Sequence, residues 1–155
     1  MSSARGLANH SLYMARLLAS QWHEALATGP RATNQALNAA FAPALRLHLL
    51  NAYGWFLLAS VRLARLPSVP PHCTADLPEL GPGIVEPGEV EEYRQLEVSG
   101  WLAQLQAPIS NGLPPHSTLN MLASSSSYPN LSDFEAWITA FDQLFGRMSD
   151  SLDEN

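Results

Sequence analysis

The chain has no lysine. All eight of its cationic side chains are arginines, a bias that codon usage in a GC-rich genome accounts for and to which no function is assigned. Charge of either sign is scarce. Charged residues make up 14% of the 155 positions, against roughly 25% in an average soluble domain. Cysteine occurs once, as Cys73, which excludes an intrachain disulfide and a multi-cysteine metal site and fits a reducing cytoplasm. Long hydrophobic runs are missing. The longest, LHLLNAYGWFLLASV at 47–61, contains His48, Asn51 and Ser60 and is bracketed by Arg46 and Arg62. As a helix it spans roughly 22 Å, short of a hydrocarbon core about 30 Å thick. It is therefore predicted to be a buried core helix, with no membrane insertion. Strand-like alternation and internal repeats are lacking. The stretch MSSARGLANHSLYMARLLASQW has no continuous apolar core of the signal-peptide kind.

What is present is helical periodicity. With 46% apolar residues and a mean hydropathy of -0.04, the chain reads as one globular domain over 1–155. A first helix is expected over 3–27, with Leu7, Leu12, Leu18 and Trp22 in its apolar sector and Arg16, Ser20 and His23 opposite. Gly29 and Pro30 end it. A second is expected from Thr33 or Asn34 to Leu66, kinked or restarted at Pro43. A loop rich in proline, with Pro67, Pro70, Pro71, Pro78, Pro82 and Pro87, follows at 67–88. A third helix is expected over 88–106, its acidic first turn complementing the helix dipole. A second long loop, at 107–131, contains NGLPP and SSSS and is predicted to be the most mobile segment. The last helix opens at SDFE, 132–135, read as a capping box. An acidic, frayed tail is expected over about 149–155. The fold class is therefore all-α: an up-down antiparallel four-helix bundle with two long loops rich in Pro, Gly and Ser.

NHSLYMAR in the first helix, LHLLNAYG in the second and LEVSGWLAQL in the third resemble a bacterial family of small all-helical proteins of unknown function. The similarity covers most of the chain in order and spacing. It implies a bacterial all-helical domain and no particular chemistry.

Charge is unevenly spread. Residues 1–66 carry +5 and residues 67–155 carry -11, for a net -6. Two oppositely charged helical hairpins that pack and partly neutralise each other account for this, and the net charge argues against a nucleic-acid partner. A di-iron bundle needs Glu-x-x-His pairs. None of His10, His23, His48, His72 and His116 has an acid three residues before it, so no metal or other cofactor is expected. Cys73 adjoins His72 in PPHCT, but no third group orients the pair for nucleophilic chemistry.

One spacing has catalytic meaning. Helical ribonucleases of the HEPN type carry Arg-x(4–6)-His on a helix at a dimer interface. Arg16 and His23, seven apart on one face, fit as candidate catalytic residues. Arg5 with His10 and Arg65 with His72 fit equally, so the pattern has little specificity. A third possibility is a small-molecule site using His48, Asn51, Trp55, Glu97 and Trp101. Glu97 is the most informative of these. It falls between Val90, Tyr93 and Trp101 in an apolar sector, where a carboxylate needs a partner. The expected partner is a cation of the first half: Arg16, Arg46, Arg62 or His48. The leading expectation is a cytoplasmic, non-catalytic interaction or regulatory module with a protein partner or a second copy of the chain.

Overall fold

The computed structural model describes residues 3–29, 33–109 and 129–153. These form five α-helices and one 3-10 turn, with no strand among the described residues. Helix α1 is Ala4–Ala27. The Ser3 hydroxyl accepts the Gly6 N–H at 3.0 Å, satisfying one of the donors a helix start leaves free. Gly29, at φ 63, lies just beyond the end. Helix α2 is Asn34–Ser60, and Thr33 caps it by accepting the Ala36 N–H at 3.1 Å. Pro43 lies inside α2 without ending it. The lost hydrogen bond is outweighed downstream, where Leu49, Leu50, Ala52, Tyr53, Trp55, Phe56, Leu57 and Leu58 are all buried. Burial of each large side chain contributes about 1.5–3 kcal/mol.

Helix α2 stops at Ser60, short of the expected Leu66. The Leu63 N–H donates to the Leu58 carbonyl and the Arg62 N–H to the Ala59 carbonyl. This pair of bonds is a Schellman closure, which needs a left-handed residue after the cap. Arg62 takes that conformation, with φ 51. Residues 61–87 then form a strap that includes a 3-10 turn, Thr74–Asp76.

The expected third helix is two. Helix α3 is Gly88–Ser99 and α4 is Trp101–Gln106, with Gly100 extended between them. A Cβ on Gly100 would lie 2.9 Å from the Leu96 Cα, so the chain can turn this tightly only without one. The break sets Trp101 edge-on against Phe141, with ring centroids 4.7 Å apart. Helix α5 is Leu131–Asp153. It opens two residues earlier than SDFE suggests, with Asn130 rather than Ser132 as its cap. Asn130 Oδ1 accepts the Asp133 N–H and Asp133 Oδ2 accepts the Asn130 N–H, a reciprocal cap built from Asn and Asp. The helix also runs through most of the segment expected to fray. The Ser- and Pro-rich segment 110–128, the core of the second loop, lies outside the described residues.

Contacts fix the helix directions. Arg5 meets Ser149, Arg16 meets Asp142 and His23 faces Glu135, so α1 and α5 run antiparallel. Trp22 stacks on Phe41, while Ala8 and Ala59 line one small cavity, so α1 and α2 are antiparallel as well. Phe56 stacks on Phe145 at 4.3 Å and Tyr53 meets Phe141, which makes α2 and α5 parallel. On a further side of α2, Tyr93 packs edge-on to Phe56 and Tyr53. The strap lies over α2 at Asn51 and Gly54.

Candidate functional site

The strap lies on α2 because Gly54 has no side chain. A Cβ there would lie 1.8 Å from the Pro71 carbonyl oxygen, so any other residue would lift the strap. Three residues earlier on the same face, Asn51 Oδ1 accepts from His72 Nε2 at 2.9 Å. An amide oxygen can only accept, so the His72 ring carries its proton on Nε2. Gln106 of α4 donates to the His72 carbonyl at 2.9 Å. Arg46, on the same stretch of α2, donates to the Leu105 and Gln106 carbonyls at 3.1 and 2.8 Å. It thereby satisfies carbonyls that the end of α4 leaves free.

Glu97 closes the arrangement from α3. Its Oε1 accepts from the Tyr53 hydroxyl at 2.6 Å and the Thr74 N–H at 2.8 Å, and its Oε2 accepts from the Thr74 hydroxyl at 2.7 Å. The cation expected as its partner is not there. Arg16 is on Asp142, Arg46 is on backbone carbonyls, Arg62 is exposed at the end of α2, and His48 is not among the groups that bond to Glu97. Neutral donors suffice because Glu97 is only half-buried, and both of its oxygens are satisfied. The clasp ties α2, α3 and the strap together at one carboxylate.

Titration follows from burial. Desolvation, then the Glu97 carboxylate, pushes the Tyr53 phenol above its usual range, which keeps it a donor. Desolvation, then Arg46, pulls His72 below its ordinary value, with Asp76 opposing. His48 is likewise pulled down by burial, then by His10. Burial, then a hydrogen bond to Asp76, pushes the Cys73 thiol up. That thiol donates to Asp76 Oδ2 at 3.1 Å. Cys73 is thus held as a thiol beside a carboxylate, the reverse of what activates a nucleophile.

The other candidates are scattered. Arg16 and His23 share the α1 face toward α5, but each faces a carboxylate there, Asp142 and Glu135 respectively. His23 is 72% exposed, on an open surface. Trp55 is buried in the core cluster, and Trp101 packs against Phe141. Of the five residues considered for a ligand site, Asn51 and Glu97 each hold the strap, through His72 and Thr74 respectively, whereas His48, Trp55 and Trp101 do not join them. No group of three His, Cys, Asp or Glu side chains suited to a metal forms among the described residues. No described helix is long and apolar enough to cross a membrane.

The sequence reading missed Tyr53, Gly54 and Thr74. A signal existed for the first two. Asn51 and Gly54 are three apart on one helix face, and a glycine inside an apolar helix marks a close approach. Thr74 lies in an aperiodic loop that offers no such cue. Compared with protein-family models, with curated proteins and with solved structures, the chain matches none.

Proposed function

We propose that the protein is a non-catalytic protein-interaction module that presents the strap to a partner. The observation that carries this reading is the contrast between the strap's two sides. Its inner side is held by polar bonds from His72 and Thr74 to Asn51 of α2, Glu97 of α3 and Gln106 of α4. Its outer side leaves aliphatic side chains in water: Val69, Ile84 and Val85 are 69%, 58% and 87% exposed. Exposed aliphatics on a fixed scaffold are what a docking surface offers. The resemblance to bacterial helical proteins agrees with a scaffold role in a bacterial cytoplasm, where Cys73 would stay reduced.

The test is photo-crosslinking in the native cells from a reactive amino acid at position 85, with Val69→Asp as the control variant. A discrete crosslinked partner, or a second copy of the chain, that is lost in Val69→Asp supports the reading. Degradation of RNA by the purified chain that disappears in His23→Ala would replace it with the ribonuclease reading.

A further inference from the structure

The outer side of the strap forms an open groove of about 390 Å³, a size that takes an organic group rather than a single ion. Pro67, Val69, Pro70 and Pro78 supply apolar walls, and His72 and Asp76 are its polar lining. We infer that this groove binds a basic segment of a partner protein, an arginine flanked by aliphatic side chains, with the guanidinium donating to Asp76 and His72. The inference rests on the interaction-module reading and names the chemistry of the partner.

The first argument is charge. Asp76 is exposed, and it is the one charged group among the described residues that line the groove. Its Oδ2 accepts the Cys73 thiol at 3.1 Å, a weak donor, and its Oδ1 has no partner among the described residues. Asp76 is within electrostatic reach of the His72 ring, so the two can serve one occupant. The strap at 67–88 holds Asp76, Glu79 and Glu86 and no arginine, and residues 67–155 carry -11. A cationic segment is drawn toward this half of the chain and an anionic one is repelled.

The second argument is the balance of donors and acceptors. Four of the seven lining residues are prolines, which bring carbonyls and no N–H. The Asp76 N–H is spent on the Cys73 carbonyl. The His72 ring spends its Nε2 proton on Asn51, and burial keeps the ring neutral at pH 7, so Nδ1 is left as an acceptor. The lining is rich in acceptors and poor in donors, the complement of a guanidinium with its five N–H groups. A carboxylate would meet a like charge and few donors. The third argument is rigidity. Pro71 is seated against Gly54, Thr74 is held by Glu97, and the prolines fix their own φ. Little ordering remains to be done on binding. The proline and valine walls suit the methylene stem of an arginine and its aliphatic neighbours. They offer no aromatic face on which nucleic-acid bases stack.

The probe is a short fluorescein-labelled peptide of alternating arginine and leucine, titrated with the full chain by fluorescence anisotropy. A glutamate–leucine peptide runs in parallel. The expected result is saturable binding of the arginine–leucine peptide alone, weakening with salt. Asp76→Asn should weaken it about tenfold or more, as expected when a charge-assisted bond is lost. Asparagine keeps an oxygen for the Cys73 thiol, and position 76 is exposed, so the melting temperature should hold and a loss of binding cannot come from unfolding. Glu24→Gln removes the same charge from an exposed position on α1 and should change the affinity by less than about twofold. Equal losses in the two variants would mean that an acidic chain attracts any polycation, and would overturn the inference. Equal affinity of Asp76→Asn and wild type, no binding of the arginine–leucine peptide, or preference for the glutamate–leucine peptide would each overturn it too. A crosslinked partner that persists in Asp76→Asn but is lost in Val69→Asp would also overturn it, while leaving the interaction-module reading intact.

Discussion

Glu97 carries its charge among neutral donors, and each of its oxygens is engaged: Tyr53 and the Thr74 N–H on one, the Thr74 hydroxyl on the other. Hydrogen bonds to a charged group contribute about 1.5–3 kcal/mol. Glu97→Gln removes the charge that strengthens these bonds and replaces one acceptor oxygen with an NH2, so the donors must rearrange around it. It should therefore destabilise the protein by about 2–3 kcal/mol, measured by denaturant unfolding. A change under about 0.5 kcal/mol would mean the clasp is not formed in solution. The helical period was enough to place Glu97 in an apolar sector, but not to find its partners. Opposite charges were the natural guess in a chain split into +5 and -11 halves. A carboxylate that is only half-buried needs filled lone pairs more than a counter-charge, and those donors came from a loop without periodicity and from a tyrosine that reads as ordinary core.

On the scale of elements, α2 and the strap specify each other. An interior glycine-to-alanine change on a helix normally stabilises it by about 1 kcal/mol. At Gly54 the new Cβ would lie 1.8 Å from the Pro71 oxygen. Gly54→Ala should instead destabilise by about 1–3 kcal/mol, the range for overpacking, and a rise in melting temperature would contradict the seating of the strap. The strap also makes stability depend on pH. His72 sits below its ordinary 6.5 when folded, so the unfolded chain takes up the proton first. The contribution is complete above about pH 6.5 and is lost as pH falls through the lower folded value. Melting temperature should fall between pH 7.5 and 5.5, and His72→Gln should flatten part of that slope; an unchanged slope would remove His72 from the account. The starts of α1 and α2 were legible because Ser3 and Thr33 are strong caps. The end of α2 was not, because an arginine does not announce a left-handed φ. The break at Gly100 was legible in principle, since glycine is the poorest helix former after proline.

For the whole molecule, hydrophobic period alone was enough to give the all-helical class, with each long helix contributing a stripe to one core around α2. The charge halves do meet, at Arg16 and Asp142 and where His23 faces Glu135, but other pairs, such as Arg147 with Glu92, stay within the acidic half. The meeting is at the surface, where ion pairs are screened. A double-mutant cycle on Arg16 and Asp142 should give no more than about 1 kcal/mol, whereas a coupling of about 3 kcal/mol would make charge, not the core, the organiser of the bundle. The central claim is that one carboxylate fastens the proline-rich strap to the central helix and so holds the proposed docking surface in shape. Native-state hydrogen exchange at the Thr74 amide, whose N–H lies 2.8 Å from Glu97, tests it most directly. In the wild type this amide should be protected, and in Glu97→Gln it should exchange at least about tenfold faster while the amides of Leu49 to Leu58 keep their protection. Exchange of the wild-type Thr74 amide at the rate of an unstructured chain would contradict the account.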